Sequence, residues 1–228
     1  MIPTLPELTL PQMLREQARL RPDRTAVRQK EFGIWRPLSW ARYFERASHF
    51  GLGLTALGVP EKGHVAVLSE NRVEWVLAQL GAGLVGAVTV GVYATSPAVE
   101  VAYVLGHCDA EIVVCEDQEQ VDKVLEKRHE LPRLQRIVVI ETKGMRAYPA
   151  DLVLSFAAVE ELGRAEEKDR PRLVEERLAR QTLADIGLMI YTSGSTGRPK
   201  GAMLSWRNLR AEAIAVIERL GLDADTSH

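Results

Sequence analysis

Cysteine is nearly absent from this chain: only Cys108 and Cys115 occur in 228 residues. Their spacing matches no metal site and no secretory disulfide framework, so both are expected to be reduced, buried, small hydrophobes in a cytoplasmic protein. No histidine stands four residues from another histidine or a cysteine, and no metal site is assigned to His49, His64, His107, His129 or His228. His64 opens an apolar run and reads as structural. Excess charge of one sign is lacking too: 29 Lys and Arg against 31 Asp and Glu leave a net −2. That balance carries no footprint for nucleic acid. There is no G-x-S-x-G elbow, hence no support for hydrolase chemistry. There is no basic stretch at Met1–Pro6, so no signal peptide is expected. Repeats and low-complexity tracts are missing. What remains, 46 % hydrophobic and 26 % charged, is a globular composition. The length suits one large domain or two small ones.

One long uncharged run is present, Trp75 to Tyr93. It is long enough to suggest a membrane span. Gly81, Gly83, Gly86 and Gly91 interrupt it, and Val88-Thr89-Val90 is β-branched. A helix packed closely on a sheet and then a buried strand explain both features.

The rest of the chain reads as alternating elements. Leu10–Leu20 is expected as a helix, stopped at Arg21-Pro22-Asp23. Thr25–Leu38 reads as a hairpin turning near Gly33. Ser39 caps a helix running to about Leu57. Strands follow at His64–Leu68, Thr89–Tyr93, Ile112–Cys115 and Ile137–Ile140, with helices from Asn71, over Ala98–Gly106 and over Gln118–His129. Asn71, Arg72 and Glu74 read as capping residues, and Thr95 or Ser96 as the cap of the next helix. Such alternation predicts an α/β fold: a mostly parallel, Rossmann-like sheet flanked by helices on both faces. Glu160–Arg180, dense in charges of both signs, reads as a solvated helix or a mobile connector.

The most informative segment is Tyr191-Thr192-Ser193-Gly194-Ser195-Thr196-Gly197-Arg198-Pro199-Lys200-Gly201. It follows the buried strand Ile186–Ile190 and precedes a helix expected to open near Ser205. Its glycines let backbone N–H groups approach a ligand, its hydroxyls add short donors, and Lys200 adds charge. Such a concavity suits an anion, and the chemistry implied is the grip on a polyphosphate. A bland Gly/Ser turn would not combine these features. The nucleotide-hydrolase P-loop fails at two positions: counting from Gly194, its second glycine falls on Pro199, and its Ser or Thr falls on Gly201.

These eleven residues resemble the signature Y-T-S-G-[ST]-T-G-x-P-K-G of the adenylate-forming (AMP-binding) enzymes at every fixed position. The likeness continues through Ala202–Leu209, where Trp206 stands in place of the family's common histidine. Val90–Pro97, containing Tyr93-Ala94-Thr95-Ser96, resembles the long-chain fatty acid–CoA ligase branch. The resemblance implies ATP, Mg2+ and coenzyme A as cofactors and a fatty acid as substrate. It also implies peripheral membrane association of the longer enzyme. It assigns nucleotide binding to Thr192, Ser193, Gly194, Ser195, Thr196, Gly197 and Lys200, and leaves the catalytic residues unknown. The family's magnesium-binding glutamate, ribose-binding aspartate, hinge and adenylation lysine have no counterpart in these residues. Residues 1–228 are therefore expected to be an incomplete large N-terminal domain with its phosphate loop at 191–201 and its small C-terminal domain absent. The alternative is a non-catalytic remnant that binds nucleotide weakly or serves as an interaction module.

Overall fold

The computed structural model describes residues 7–192 and 197–223. Helix α1 (Leu10–Leu20) opens on a reciprocal cap: Thr9 Oγ1 accepts from Gln12 N–H, and Gln12 Oε1 accepts from Thr9 N–H. Strands β1 (Thr25–Glu31) and β2 (Ile34–Ser39) form a separate antiparallel hairpin. Ser39 caps α2 (Trp40–Ala56) through the N–H of Arg42.

A seven-stranded sheet follows. Its strands are β3 (His64–Leu68), β4 (Val88–Val92), β5 (Ile112–Cys115), β6 (Arg136–Val139), β7 (Val153–Ser155), β8 (Ile186–Thr192) and β9 (Lys200–Ser205). They lie in the order β7-β6-β5-β3-β4-β8-β9, parallel throughout except for β8–β9. Continuous Val/Ile runs serve strands covered on both faces. Val65, Val67, Ile112, Val114 and Val138 face one layer, with α2, α3 (Val73–Leu84) and α6 (Phe156–Asp169). Ala66, Leu68, Val113, Cys115 and Ile137 face the other, with α4 (Ala98–His107) and α5 (Gln118–Glu126). Both cysteines are buried and free. His64 is satisfied structurally: its Nδ1–H donates to the Cys108 carbonyl at 2.5 Å and its backbone N–H to Glu111 at 2.6 Å.

The Trp75–Tyr93 run is the expected helix and buried strand, and no helix among the described residues is long and apolar enough to cross a membrane. Several local expectations are corrected. The helix after β3 begins at Val73 with Arg72 at its cap position but no side-chain cap bond. Gln29 Oε1, from the distant hairpin, accepts from Val73 N–H at 2.7 Å instead. Arg72 is drawn away into ion pairs with Glu74 and Glu116. Pro97, not Thr95 or Ser96, occupies the cap of α4, again without a side-chain bond. The Gln118–His129 helix ends at Glu126 and passes into a short 3-10 turn, Arg128–Glu130.

Of the two expectations for residues 160–180 the helical one holds: they form the end of α6, a three-residue break at Arg170-Pro171-Arg172, and α7 (Leu173–Arg180). Their charges disguise one tightly seated face. A β-carbon on Gly163 would lie 1.6 Å from the His49 carbonyl oxygen, and one on Gly53 would lie 2.1 Å from that of Val159. Helices α2 and α6 therefore touch backbone to backbone.

Candidate functional site

The strand order reverses at β3. Strand β4 lies on one side of it and β5 on the other, and the connecting helices α3 and α4 lie on opposite faces. Such a switch point opens a crevice at the carboxyl ends of the strands. Here the crevice is about 280 Å³, lined by Ser69, Glu70, Asn71, Trp75, Tyr93 and Ile190 among others. Glu116 braces its rim, accepting from Glu70 N–H at 2.7 Å and from Ser69 Oγ at 3.2 Å. A larger cavity of about 480 Å³ opens at the amino ends of the strands, among Glu61, Lys62, Arg177, Arg180 and Trp206. Of the motif stretches, only Ala202–Leu209 reaches it, through Met203 and Trp206.

The two stems of the glycine- and hydroxyl-rich segment stand beside the crevice, at the end of β8 and the start of β9. Sequence reasoning treats the segment as a strand-to-helix turn. The structure corrects this: Lys200–Ser205 is a strand that returns antiparallel along β8, so the segment closes a hairpin. Strand β9 is hard to read because Gly201-Ala202 supplies neither β-branching nor alternation. The helix does open at Ser205, as α8 (Trp206–Leu220), with a reciprocal Ser205–Asn208 cap.

Four of the seven predicted site residues, Ser193, Gly194, Ser195 and Thr196, lie outside the described residues. The other three are placed. Thr192 and Lys200 pair directly across the hairpin, both exposed at its mouth. Directly opposed residues share a face, so a hydroxyl and an ammonium stand side by side. Ile190, two residues before Thr192 and hence on that face, lines the crevice. Gly197 has φ +133°, with open space where a β-carbon would go. That dihedral is one that side chains rarely adopt.

The hairpin is held from its other face by two residues that sequence reasoning did not single out. Tyr191 is buried, and its hydroxyl lies 2.6 Å from Nδ1 of His107. Tyr103, one turn earlier on α4, donates its hydroxyl to the Pro199 carbonyl at 3.0 Å. Its ring lies under the Arg198 guanidinium at 5.3 Å. Tyr191 meets both other rings edge to face, Tyr103 at 6.5 Å and His107 at 5.6 Å. One helix face thus grips the segment at both stems. Burial raises the Tyr191 phenol to about 12, with Cys108 and Tyr103 reinforcing the shift, so the hydroxyl stays protonated. Part of the signal for the pair was available: Tyr103 and His107 are four apart and so share a face of α4, but the helix expected from sequence stops at Gly106, one residue short of His107.

The site also explains two motif positions. Gly201 faces Tyr191 across the hairpin, and a β-carbon there would come within 3.2 Å of the Tyr191 ring and 3.0 Å of Met189 Sδ. Trp206 sits at the far end of β9, about 20 Å from the hairpin mouth at the usual rise per residue. Its ring is buried over Gly187. The substitution for the family's histidine therefore leaves the hairpin mouth untouched. Among the described residues no group of three or more His, Cys, Asp or Glu side chains converges.

Residues 14–227 match the family described as AMP-binding enzyme. The chain is 31 % identical over 215 residues to the long-chain-fatty-acid–CoA ligase ACSBG2 of Xenopus laevis, covering 94 % of this chain and 28 % of that protein. It is 32 % identical over 197 residues to the long-chain-fatty-acid–CoA ligase FadD15 of Mycobacterium bovis, covering 86 % and 31 %. Among solved structures, the anthranilate CoA ligase AuaEII in complex with anthranoyl-AMP superposes with a TM-score of 0.75 at 26 % identity, over 92 % of this chain and 37 % of that one. A putative long-chain-fatty-acid CoA ligase from Rhodopseudomonas palustris gives the same score and identity over 96 % and 50 %. The chain spans under a third of the length of these curated relatives. By its sequence, its sheet and its hairpin motif, the chain belongs to the AMP-binding enzymes.

Proposed function

We propose that this chain is the N-terminal part of an ATP-dependent fatty acid–CoA ligase. The observation that carries the reading is the position of the stems of the Tyr191–Gly201 segment, Thr192 and Lys200, beside the crevice at the carboxyl ends of β4 and β8. The described residues fit a polyphosphate. Thr192 and Lys200 present a donor and a cation on one face, and Gly197 leaves the backbone open to close approach. In the complete enzyme a fatty carboxylate attacks the α-phosphorus of ATP, forming acyl-adenylate and releasing pyrophosphate. The thiol of coenzyme A then attacks the acyl carbon, forming thioester and releasing AMP.

Residues Thr192–Gly197 and Lys200 hold the β- and γ-phosphates, and their work is positioning and charge stabilisation. Magnesium supplies further positive charge to those phosphates when bound; no residue of this chain is assigned to it. Tyr103 and His107 are positioning residues that fix both stems of the loop. The reading treats residues 1–228 as part of one large domain in a cytoplasmic enzyme that meets lipid at membrane surfaces.

The test is fatty acid-dependent exchange of labelled pyrophosphate into ATP, measured on the full product of the reading frame that carries this sequence. Exchange that is lost on Gly197→Ala and Thr196→Ala, and falls less on Lys200→Ala, agrees with the reading. Lys200 sits on a flexible stem whose charge magnesium or water can partly replace. A frame that stops at His228, with a product that retains no ATP in equilibrium dialysis, leaves the non-catalytic remnant instead.

A further inference from the structure

The β1–β2 hairpin takes no part in the crevice and stands outside the large sheet. Lys30 pairs with Trp35 and Glu31 with Ile34 around the two-residue turn Phe32-Gly33. Faces alternate along the hairpin. Val27 and Leu38 pack on the core, and Gln29 reaches the end of α3. Arg28, Lys30, Trp35 and Pro37 therefore look outward. Every residue from Lys30 to Pro37 is exposed. Phe32 is fully exposed at 106 %, Trp35 is 59 % exposed and Ile34 56 %. Three large apolar side chains thus crowd a tip four residues long.

Phe32 is also in the wrong backbone region for its type. Its φ is +47°, and that of Gly33 is +84°. A turn with two positive φ values ordinarily takes Asn-Gly or Asp-Gly. A phenylalanine there strains the backbone and leaves its ring in water, and neither cost is offset by a contact inside the chain. Strain at an exposed position points to a function served outside the fold.

Charge identifies the partner. Residues 24–39 hold Arg24, Arg28, Lys30 and Arg36 against the single carboxylate Glu31, a net of +3 in a chain whose total is −2; Arg36 lies 4.0 Å from Glu31, so the outward face of the hairpin carries its charge on Arg28 and Lys30. Lys30 Nζ lies 5.9 Å above the Trp35 ring. An indole that shares its face with Lys30 and Arg28, with phenylalanine and isoleucine ahead of it, is the composition of an interfacial anchor. A second copy of this hairpin would bring like charges together. A folded protein would have to supply a pocket shaped to a narrow prong, whereas a bilayer deforms around one. We propose that the tip of this hairpin, Lys30–Pro37, inserts into the headgroup layer of an anionic lipid membrane, with Phe32 and Ile34 entering the acyl boundary and the basic residues meeting lipid phosphates. The proposal gives a site to the membrane contact included in the proposed function and rests on that part of it, and it needs no catalysis to be tested.

The experiment is co-sedimentation of the chain with phosphatidylcholine vesicles, with and without phosphatidylglycerol. Binding is expected only where the anionic lipid is present, weakened by salt, and accompanied by a blue shift of tryptophan emission. Phe32→Asn relieves the turn and is expected to raise the unfolding midpoint while weakening vesicle binding. Phe32→Asn combined with Trp35→Ser should reduce vesicle affinity by about tenfold or more. Met203→Ser with Leu220→Ser, at exposed apolar positions elsewhere, should bind as the parent does. The proposal is overturned by absence of binding, by equal binding to neutral vesicles, by unchanged binding of the hairpin variants, or by a hairpin-dependent dimer in size-exclusion chromatography.

Discussion

Gly163 and Gly106 sit in helices of the same protein and should respond to alanine in opposite directions. At Gly163 the new methyl would meet the His49 carbonyl at 1.6 Å, and the obstacle is backbone that cannot swing aside. Gly163→Ala should lower stability by about 3 kcal/mol or prevent folding. At Gly106 the nearest atom is Leu131 Cδ2 at 3.7 Å, an ordinary contact. Gly106→Ala should raise stability by about 0.5–1 kcal/mol, through the smaller backbone entropy of the unfolded chain. Urea midpoints measured side by side check both signs. The thiols give a pH dependence. Burial pushes Cys108 up to about 12 and carries Cys115 above the ordinary thiol range. In the unfolded chain both ionise at about pH 8.5. Above that value the unfolded chain binds fewer protons than the folded one, so stability falls as pH rises. The unfolding free energy from urea titrations should hold between about pH 7 and 8 and fall by about 1.4 kcal/mol for each thiol at about pH 9.5. A variant with both cysteines replaced by alanine should lose that dependence.

Elements were legible where a period or a cap wrote them. The strand His64–Leu68, the hairpin around Gly33 and the caps at Ser39 and Ser205 follow from alternation, turn chemistry and short hydroxyl side chains. Strand β9 was not legible, because its pairing with β8 rather than its own residues makes it a strand. The same limit hid the site's supports. The phosphate-loop motif could be read in Tyr191–Gly201 itself, whereas the grip of α4 on it depends on contacts 84 and 96 residues distant in sequence. That grip is testable. Tyr103→Phe removes the bond to Pro199 and keeps the ring beneath Arg198; His107→Leu removes the bond to Tyr191. Each should speed amide hydrogen exchange across residues 197–201 by about tenfold and leave β5 and β6 unchanged. Exchange that rises evenly through the sheet would mean the two residues serve global stability rather than the loop.

Across the whole molecule, burial is uneven. Strands β3–β6 are closed on both faces, whereas β9 is an edge strand, with Met203 65 % exposed, and α8 has Val216 and Leu220 exposed at its far end. An uncovered apolar edge invites pairing with other chains. The 228-residue chain should therefore self-associate as its concentration rises, by light scattering, and Met203→Lys should suppress this. It should also form no thioester from ATP, magnesium, palmitate and coenzyme A above a protein-free control. The contacts that seat α1 have a consequence in time. Gln12 Nε2 donates to the Leu178 carbonyl at 2.8 Å and Thr9 Oγ1 to Gln181 Oε1 at 2.9 Å, partners 166 and 172 residues further along. A ribosome adding about 5–20 residues per second needs roughly ten to thirty seconds to cover that interval. Helix α1 therefore emerges well before the partners of its cap exist, and the bonds of Thr9 and Gln12 can close only once residues 178–181 have followed.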